Sequence, residues 1–235
     1  MKPVLILTAV ELEARALARE LELPSLRAFS FPAFGRGMGR LAPVGLRAGL
    51  CGSRWATLLD GLDHPLIVSA GLCGGLDPRL QPGDLVIPDR VIGTSGELHP
   101  IATAHHRAAV TRAGGSACTG PLVTTREVVA TPEAKAALFV ASGAVAADME
   151  SAVIVVRAVA AGCPALVVRG VSDSAGQGLP AELTHLVTPE GRLRLARALV
   201  LGVTRPATLP RALGLGRRTR QALAAVARVL AALIG

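Results

Sequence analysis

The chain has 235 residues, 51% hydrophobic and 18% charged, which suits one α/β domain with a sizeable core and leaves too little for two full domains. Aromatic residues make up 2% with no Tyr, so the stacking platforms of a nucleic-acid surface are scarce, and nucleic acid is not expected as a partner. The formal charge of +8 is carried by the end of the chain: nine arginines and no acidic residue follow Glu190, and the body before it is nearly neutral.

The opening MKPVLILTAVELEARAL has an apolar run before Glu11 that is too short for a secretory signal, and a cytoplasmic location is expected. Val4 to Thr8 reads as a buried strand and Glu11 to Glu20 as a helix, the first step of a sheet with helices on its faces. Glu11 and Glu13 fall in the first helical turn, where the helix dipole favours carboxylates. Pro24 to Pro43, with GRGMGR near its centre, has the composition of a hairpin or loop. Its Arg36 and Arg40 read as solvated loop arginines or, with Arg54, as candidates for a phosphate. Val44 to Leu50 is expected as a strand and Ser53 to Leu62 as a short helix.

Leu66 to Ala70 is a buried strand running into Gly71-Leu72-Cys73-Gly74-Gly75, where glycines let backbone approach a ligand or simply make a tight connection. Asp84 to Ile87 starts the next strand, and Val91 to Leu98 extends it toward an irregular turn at His99-Pro100. Thr103 to Ala113 reads as a helix with His105, His106 and Arg107 on a solvated face. Cys51, Cys73, Cys118 and Cys163 form no C-x-x-C pair and His105-His106 has no Cys or carboxylate at ligand spacing beside it, so neither a disulfide framework nor a zinc site is indicated. Pro121 to Thr125 is a strand, Arg126 to Ala130 a loop, and Thr131-Pro132-Glu133 opens a helix by a cap and an N1 proline.

The chain is organised around Gly143 to Asp173. Asp148 and Glu150 flank Met149 at the head of an Ala/Val-rich run that suits a mostly buried helix, stopped by Gly162 and Pro164. The β-branched run Ala165 to Val171 then delivers Ser172 and Asp173 at its carboxyl tip, where open α/β sheets bind ligands. Taken singly, Asp173 reads equally as a cap for the next element and Glu150 as a carboxylate favoured by the helix dipole. Together they read as two walls of one pocket.

ADMESA followed by VVRGVSD resembles the nucleoside phosphorylase and nucleosidase family, and within it most resembles the hopanoid-associated phosphorylase-like nucleosidase branch. SAGLCGGLDPRLQPGDLV, EAKAALFVASGAVAADMES and LPAELTHLVTPEGRLRLARALVLGVTRPATLPRAL extend the resemblance over most of the chain. It implies a single mixed central sheet with helices on both faces. It also implies roles: Glu150 and Met149 for the ribose, Asp173 with Ser172 for the purine, and Glu13 for the attacking water. Gly74 and Gly75 would floor the ribose site, and Val128 and Val129 would grip the base where relatives stack an aromatic. Leu72 stands where some relatives carry a hydroxyl.

Cleaving an N-ribosyl bond passes through an oxocarbenium-like state, needing a held sugar, a protonated leaving base and a nucleophile, with no metal or cofactor. Three separated carboxylates, Glu13, Glu150 and Asp173, supply that division of labour, with Asp173 acting as an acid kept partly protonated by its buried site. With no clear phosphate set, hydrolysis is favoured over phosphorolysis, and the resemblance implies release of adenine from adenosylhopane. A methylthioadenosine/S-adenosylhomocysteine nucleosidase, a futalosine hydrolase, a phosphorylase and a non-catalytic nucleoside-binding scaffold remain the alternatives. A homodimer is implied by the resemblance.

Residues 1–203 are expected as the catalytic domain and 204–235 as a basic helical extension, broken off by Pro206 and Pro210. Arg217 to Ile234 forms an amphipathic pattern with Arg217, Arg220, Gln221 and Arg228 on one side and Leu223, Val226, Val229, Leu230, Leu233 and Ile234 on the other. Such a helix packs on the core or on a second subunit, or lies on an anionic membrane surface where a lipid-linked nucleoside would be met.

Overall fold

The computed structural model of the chain describes residues 3–29, 31–36, 39–43, 57–101, 103–112, 117–179 and 209–234. The first strand, β1 (Val4–Thr8), is buried throughout, and helix α1 (Glu11–Glu20) follows it and buries Ala14, Leu17 and Ala18. Strands β2 (Phe34–Arg36) and β3 (Gly39–Pro43) form an antiparallel hairpin, and β3 lies parallel to β1. Arg40 donates to the carbonyls of Leu58 and Asp60 and Arg36 to that of Glu22, so these arginines hold backbone. The expected strand Val44 to Leu50, Arg54 and the first four residues of the helix expected over Ser53 to Leu62 lie outside the described residues; of the remainder, residues 57–59 are helical.

Strand β4 (Leu66–Gly75) is the axis of the mixed sheet. The sequence reading ends this strand at Ala70, but the glycines continue it, because β11 stays paired along one edge as far as Gly74. Its first half lies parallel to β1 (Val4 opposite Leu66 to Leu7 opposite Ser69) and its end lies antiparallel to β10 (Ala146–Asp148), with Ala146 opposite Gly75. Along its other edge it runs parallel to β11 (Ala165–Asp173). Gly71 sits where the change of partner occurs, at φ +152°. A Cβ there would lie 2.7 Å from both the Arg169 Nη1 and Glu13 Oε1 atoms, so only glycine fits.

β5 (Leu85–Val86) joins β11 antiparallel and carries β8 (Ala117–Cys118) on its far edge. Beyond β10, the sheet continues through β9 (Leu122–Thr124) to β6 (Arg90–Ile92) and β7 (Leu98–Pro100). The single strand expected over Val91 to Leu98 is therefore a hairpin. Gly93 to Gly96 forms its turn, Gly96 at φ +84° and Gly93 donating to the Glu97 carbonyl at 2.7 Å.

Helix α2 spans Thr103–Arg112 and α3 Pro132–Ser142; α3 is capped by the Thr131 hydroxyl, which accepts from the Ala134 N–H, and closed by Gly143 at φ +65°. α4 (Ser151–Ala160) buries Ala152, Ile154, Val155 and Ala158. The last helix, α5, runs from Leu209 to Ile234. It begins earlier than expected, because Pro210 lies in the first turn, where a missing N–H costs nothing.

Alternation along β11 places these helices. Arg169 points toward Ser151 at the start of α4, and Gly170 faces Ala222 of α5, so α4 and α5 cover opposite faces of the sheet. Ala222, Leu223, Ala225, Val226, Val229 and Leu230 of α5 are buried, most of them in the main core with β11 and β4, and α1 packs against the same helix. The apolar face noted in the sequence is thus turned inward, leaving Arg217, Arg220 and Arg228 exposed. A smaller cluster of Leu76, Val123, Ala144 and Ala147 packs beneath Leu138 and Phe139 of α3. Among the described residues, no helix is long and apolar enough to cross a membrane.

Candidate active site

A cleft of about 200 Å³ opens at the carboxyl ends of β4 and β11. Into it converge the start of α1, the glycine segment of β4, the β10–α4 turn, the β9–α3 loop and the tip of β11. Glu13, Gly74, Val128, Val129, Met149, Glu150, Ser172 and Asp173 all line it. Gly75 is the exception: it lies behind the wall, where a Cβ would come 3.3 Å from the Asp173 carbonyl and 3.4 Å from Leu80 and Val171. Its glycine serves close strand packing rather than a ligand. Gly74 leaves room for the Asp173 carboxylate, whose Oδ2 would be 3.3 Å from a Cβ there.

Glu13 is buried at the first turn of α1 because the turn needs its oxygens. Oε2 accepts from the Ala9 and Val10 N–H groups at 3.1 and 3.2 Å, and Oε1 accepts from the Leu72 N–H at 2.9 Å, tying α1 to β4. Burial raises its pKa above the usual carboxylate value against the opposing pull of Arg169 and these N–H donors.

Asp148 ends β10 and prepares α4: its carboxylate accepts from the Ser151 N–H at 3.2 Å and from the Thr124 hydroxyl at 2.8 Å. It therefore belongs to the strand, not to the helix head, and does the capping from there. Glu150 is the residue before the first turn of α4 but makes no side-chain cap bond. It is 3% exposed, and its Oε1 has no hydrogen-bond partner. A buried, unpaired acceptor facing a cleft is poised for a ligand hydroxyl. Burial, then the neighbouring Asp148 charge, pushes its pKa well above the usual value, with Arg169 pulling the other way.

Arg169 is the cation beneath these carboxylates. Its Nη2 pairs with Asp148 at 2.7 Å and donates to the hydroxyls of Ser69 and Ser151 at 2.8 and 3.0 Å, while Nη1 has no partner. Burial works against its charge, but Asp148, Glu150 and Glu13 outweigh burial and raise its pKa. Three carboxylates against one guanidinium make the floor favourable to positive charge developing above it.

At the other end, Asp173 meets a residue that the sequence reading passed over. Lys135, on the first turn of α3, pairs with Asp173 Oδ2, and the Ser172 hydroxyl donates to Oδ1 at 2.5 Å. Asp173 caps no following helix; burial alone does not define its setting, since a cation touches it. Lys135 carried a readable signal: a lysine at a helix N-terminus opposes the dipole and so points to a tertiary partner. Aliphatic side chains of Leu76, Val128, Val129 and Leu179 complete the cleft, with no aromatic among the described residues that line it.

A mixed sheet of this topology, with helices on its faces and a carboxylate-lined cleft at its strand ends, defines the protein as α/β with one central sheet. The phosphorylase superfamily model matches residues 3–205, and the chain belongs to that family. No match is found among curated proteins. The 5′-methylthioadenosine/S-adenosylhomocysteine nucleosidase of Neisseria meningitidis, solved with methylthio-immucillin-A, superposes with a TM-score of 0.72 at 18% identity, covering 98% of this chain and 97% of that one. The S-adenosylhomocysteine nucleosidase of Streptococcus pyogenes gives 0.71 at 18%, covering 98% and 94%. Futalosine hydrolase of Helicobacter pylori gives 0.70 at 14%, covering 97% and 95%. These likenesses show the fold.

Proposed function

We propose that the protein is a nucleosidase that hydrolyses the N-ribosyl bond of an adenosine derivative. The observation that carries the reading is the convergence of Glu13, Glu150 and Asp173 on one cleft, from three separate elements. The family supports it, as do neighbours named for cleaving purine nucleosides. Glu150, with its free Oε1, accepts from the ribose hydroxyls while Met149 packs the sugar. The carboxylate-rich floor favours the oxocarbenium-like sugar, Glu13 orients the attacking water, and Asp173 gives a proton to the purine at N7. Val128 and Val129 hold the base by packing. Hydrolysis is favoured over phosphorolysis because Arg36 and Arg40 line a separate hollow and are not among the residues of this cleft.

The 5′ substituent is proposed to be the hopane skeleton, so that adenosylhopane yields adenine and ribosylhopane; sequence resemblance to the hopanoid-associated branch supports this. We further propose a homodimer and peripheral contact with an anionic inner-membrane face. The apolar face of α5 is occupied by the core, so that contact falls to its exposed arginines. The test is a panel of 5′-substituted adenosines, one lipid-linked, assayed for adenine release with and without phosphate. Phosphate-independent release is expected, fastest from the lipid-linked member. Strict phosphate dependence would make the enzyme a phosphorylase, and tight binding without release would favour a scaffold.

A further inference from the structure

Lys135 is 1% exposed, although its side chain borders the cleft. An ammonium group has three N–H donors. All three are taken: one by Asp173 Oδ2, one by the Ser174 carbonyl at 2.9 Å and one by the Gln177 carbonyl at 2.8 Å. No donor is left for a ligand, so Lys135 cannot read the base itself. Its location is unfavourable on two counts, since the ammonium is withdrawn from water and sits at the positive end of α3. What it gains is a grip on the tip of β11 and on the turn that follows.

We propose that Lys135 is the positioning residue of Asp173: it locks the carboxylate against rotation together with Ser172, and its charge stabilises the carboxylate that remains after Asp173 has given its proton away. The inference rests on the nucleosidase reading. In that reaction the C1′–N9 bond breaks with its electron pair going to the base, and N7 gains the proton of Asp173. Water bonds to C1′ and loses a proton to Glu13, which releases it to solvent, and solvent returns one proton to Asp173. Without the ammonium, the transfer leaves an unpaired carboxylate in a buried site. The other titratable groups around this cleft are Glu13, Cys73, Asp148 and Glu150, with Arg169 beneath the floor. Among the described residues none of these is a cation in contact with Asp173, and Lys135 alone pairs with it.

Lys135→Met is the direct test, with Lys135→Arg as the charge-retaining partner. For Lys135→Met we expect kcat to fall roughly 10- to 100-fold with KM within a few-fold of wild type. The alkaline limb of its kcat profile should move to higher pH, because loss of a neighbouring cation favours the protonated carboxyl. Lys135→Arg should recover part of the rate and return the limb toward wild type. A folded Lys135→Met protein with an unmoved limb, whatever its rate, would overturn the proposal and reduce the lysine to a structural tie. The pairing is read independently of turnover by thermal unfolding: Lys135→Met should cost more stability in the wild-type background than in the Asp173→Asn background. Equal costs would overturn it. If wild type releases no base from any nucleoside, the nucleosidase reading falls and the catalytic role of Lys135 falls with it, while the unfolding cycle still decides the pairing.

Discussion

Glu150 is held where its charge is opposed both by burial and by Asp148, so the folded protein holds its proton more tightly than the unfolded chain does. Stability from this residue is therefore full below its ordinary value of 4.5 and is lost as pH rises through the higher folded value. Glu150→Gln removes that loss. In melts at pH 5 and pH 8, the variant should gain on wild type as pH rises, by a few degrees. A gap that does not widen with pH would remove the predicted strain. The same variant should be a poor enzyme. Loss of a charged acceptor weakens ribose recognition, so activity on ribosyl substrates should fall more than on 2′-deoxyribosyl ones, and equal losses would contradict the contact. Asp173→Asn keeps an acceptor for Lys135 but has no proton to give. Its kcat should drop on the order of 10²–10⁴ while ligand affinity stays close to wild type, and a kcat within a few-fold of wild type would remove Asp173 from the chemistry.

At the scale of elements, β11 is shared between the cleft and the last helix. A Cβ on Gly170 would lie 2.6 Å from the Ala222 carbonyl oxygen and 2.8 Å from the Ala222 Cβ. Gly170→Val should thus lift α5 from the strand and destabilise the fold by about 1–3 kcal/mol, the usual cost of overpacking. Because Ser172 and Asp173 follow on the same strand, activity should fall with stability; unchanged melting would mean the helix yields freely. The elements with long apolar runs, β1, β4 and β11, were legible in the sequence, since fully buried strands need unbroken hydrophobicity. The β6–β7 hairpin was not, because its two strands are three residues each and the turn signal lay inside one continuous reading. Carboxylates in a motif stood out. Lys135 did not, because its partner is 38 residues away and only the tertiary fold brings β11 to α3.

For the whole molecule, the tail helix is part of the core. Removing residues from Arg217 onward would uncover β11 and strip Leu223, Val226, Val229 and Leu230 from the hydrophobic interior. The truncated chain should be insoluble or lack a cooperative melt and should lose activity on every substrate, soluble ones included. A folded, active truncation would show that the helix is dispensable. Charge tests the surface role without harming the core: replacing the exposed Arg217, Arg220 and Arg228 by Gln should leave melting nearly unchanged. Binding to anionic vesicles should weaken by roughly 1 kcal/mol per arginine if those side chains meet the membrane. Unchanged sedimentation would remove this face from any membrane contact.

The order in which the chain is made gives the seating of Ala222 on Gly170 one more consequence. The strand bearing Asp173 leaves the ribosome long before the helix that covers it, and translation at about 5–20 residues per second leaves a delay of several seconds. Throughout that interval the side of β11 that α5 later covers lies open, and chaperone binding to the nascent chain is expected there. The interior closes only when α5 docks, and catalytic competence should appear only after that helix has emerged and packed on β11.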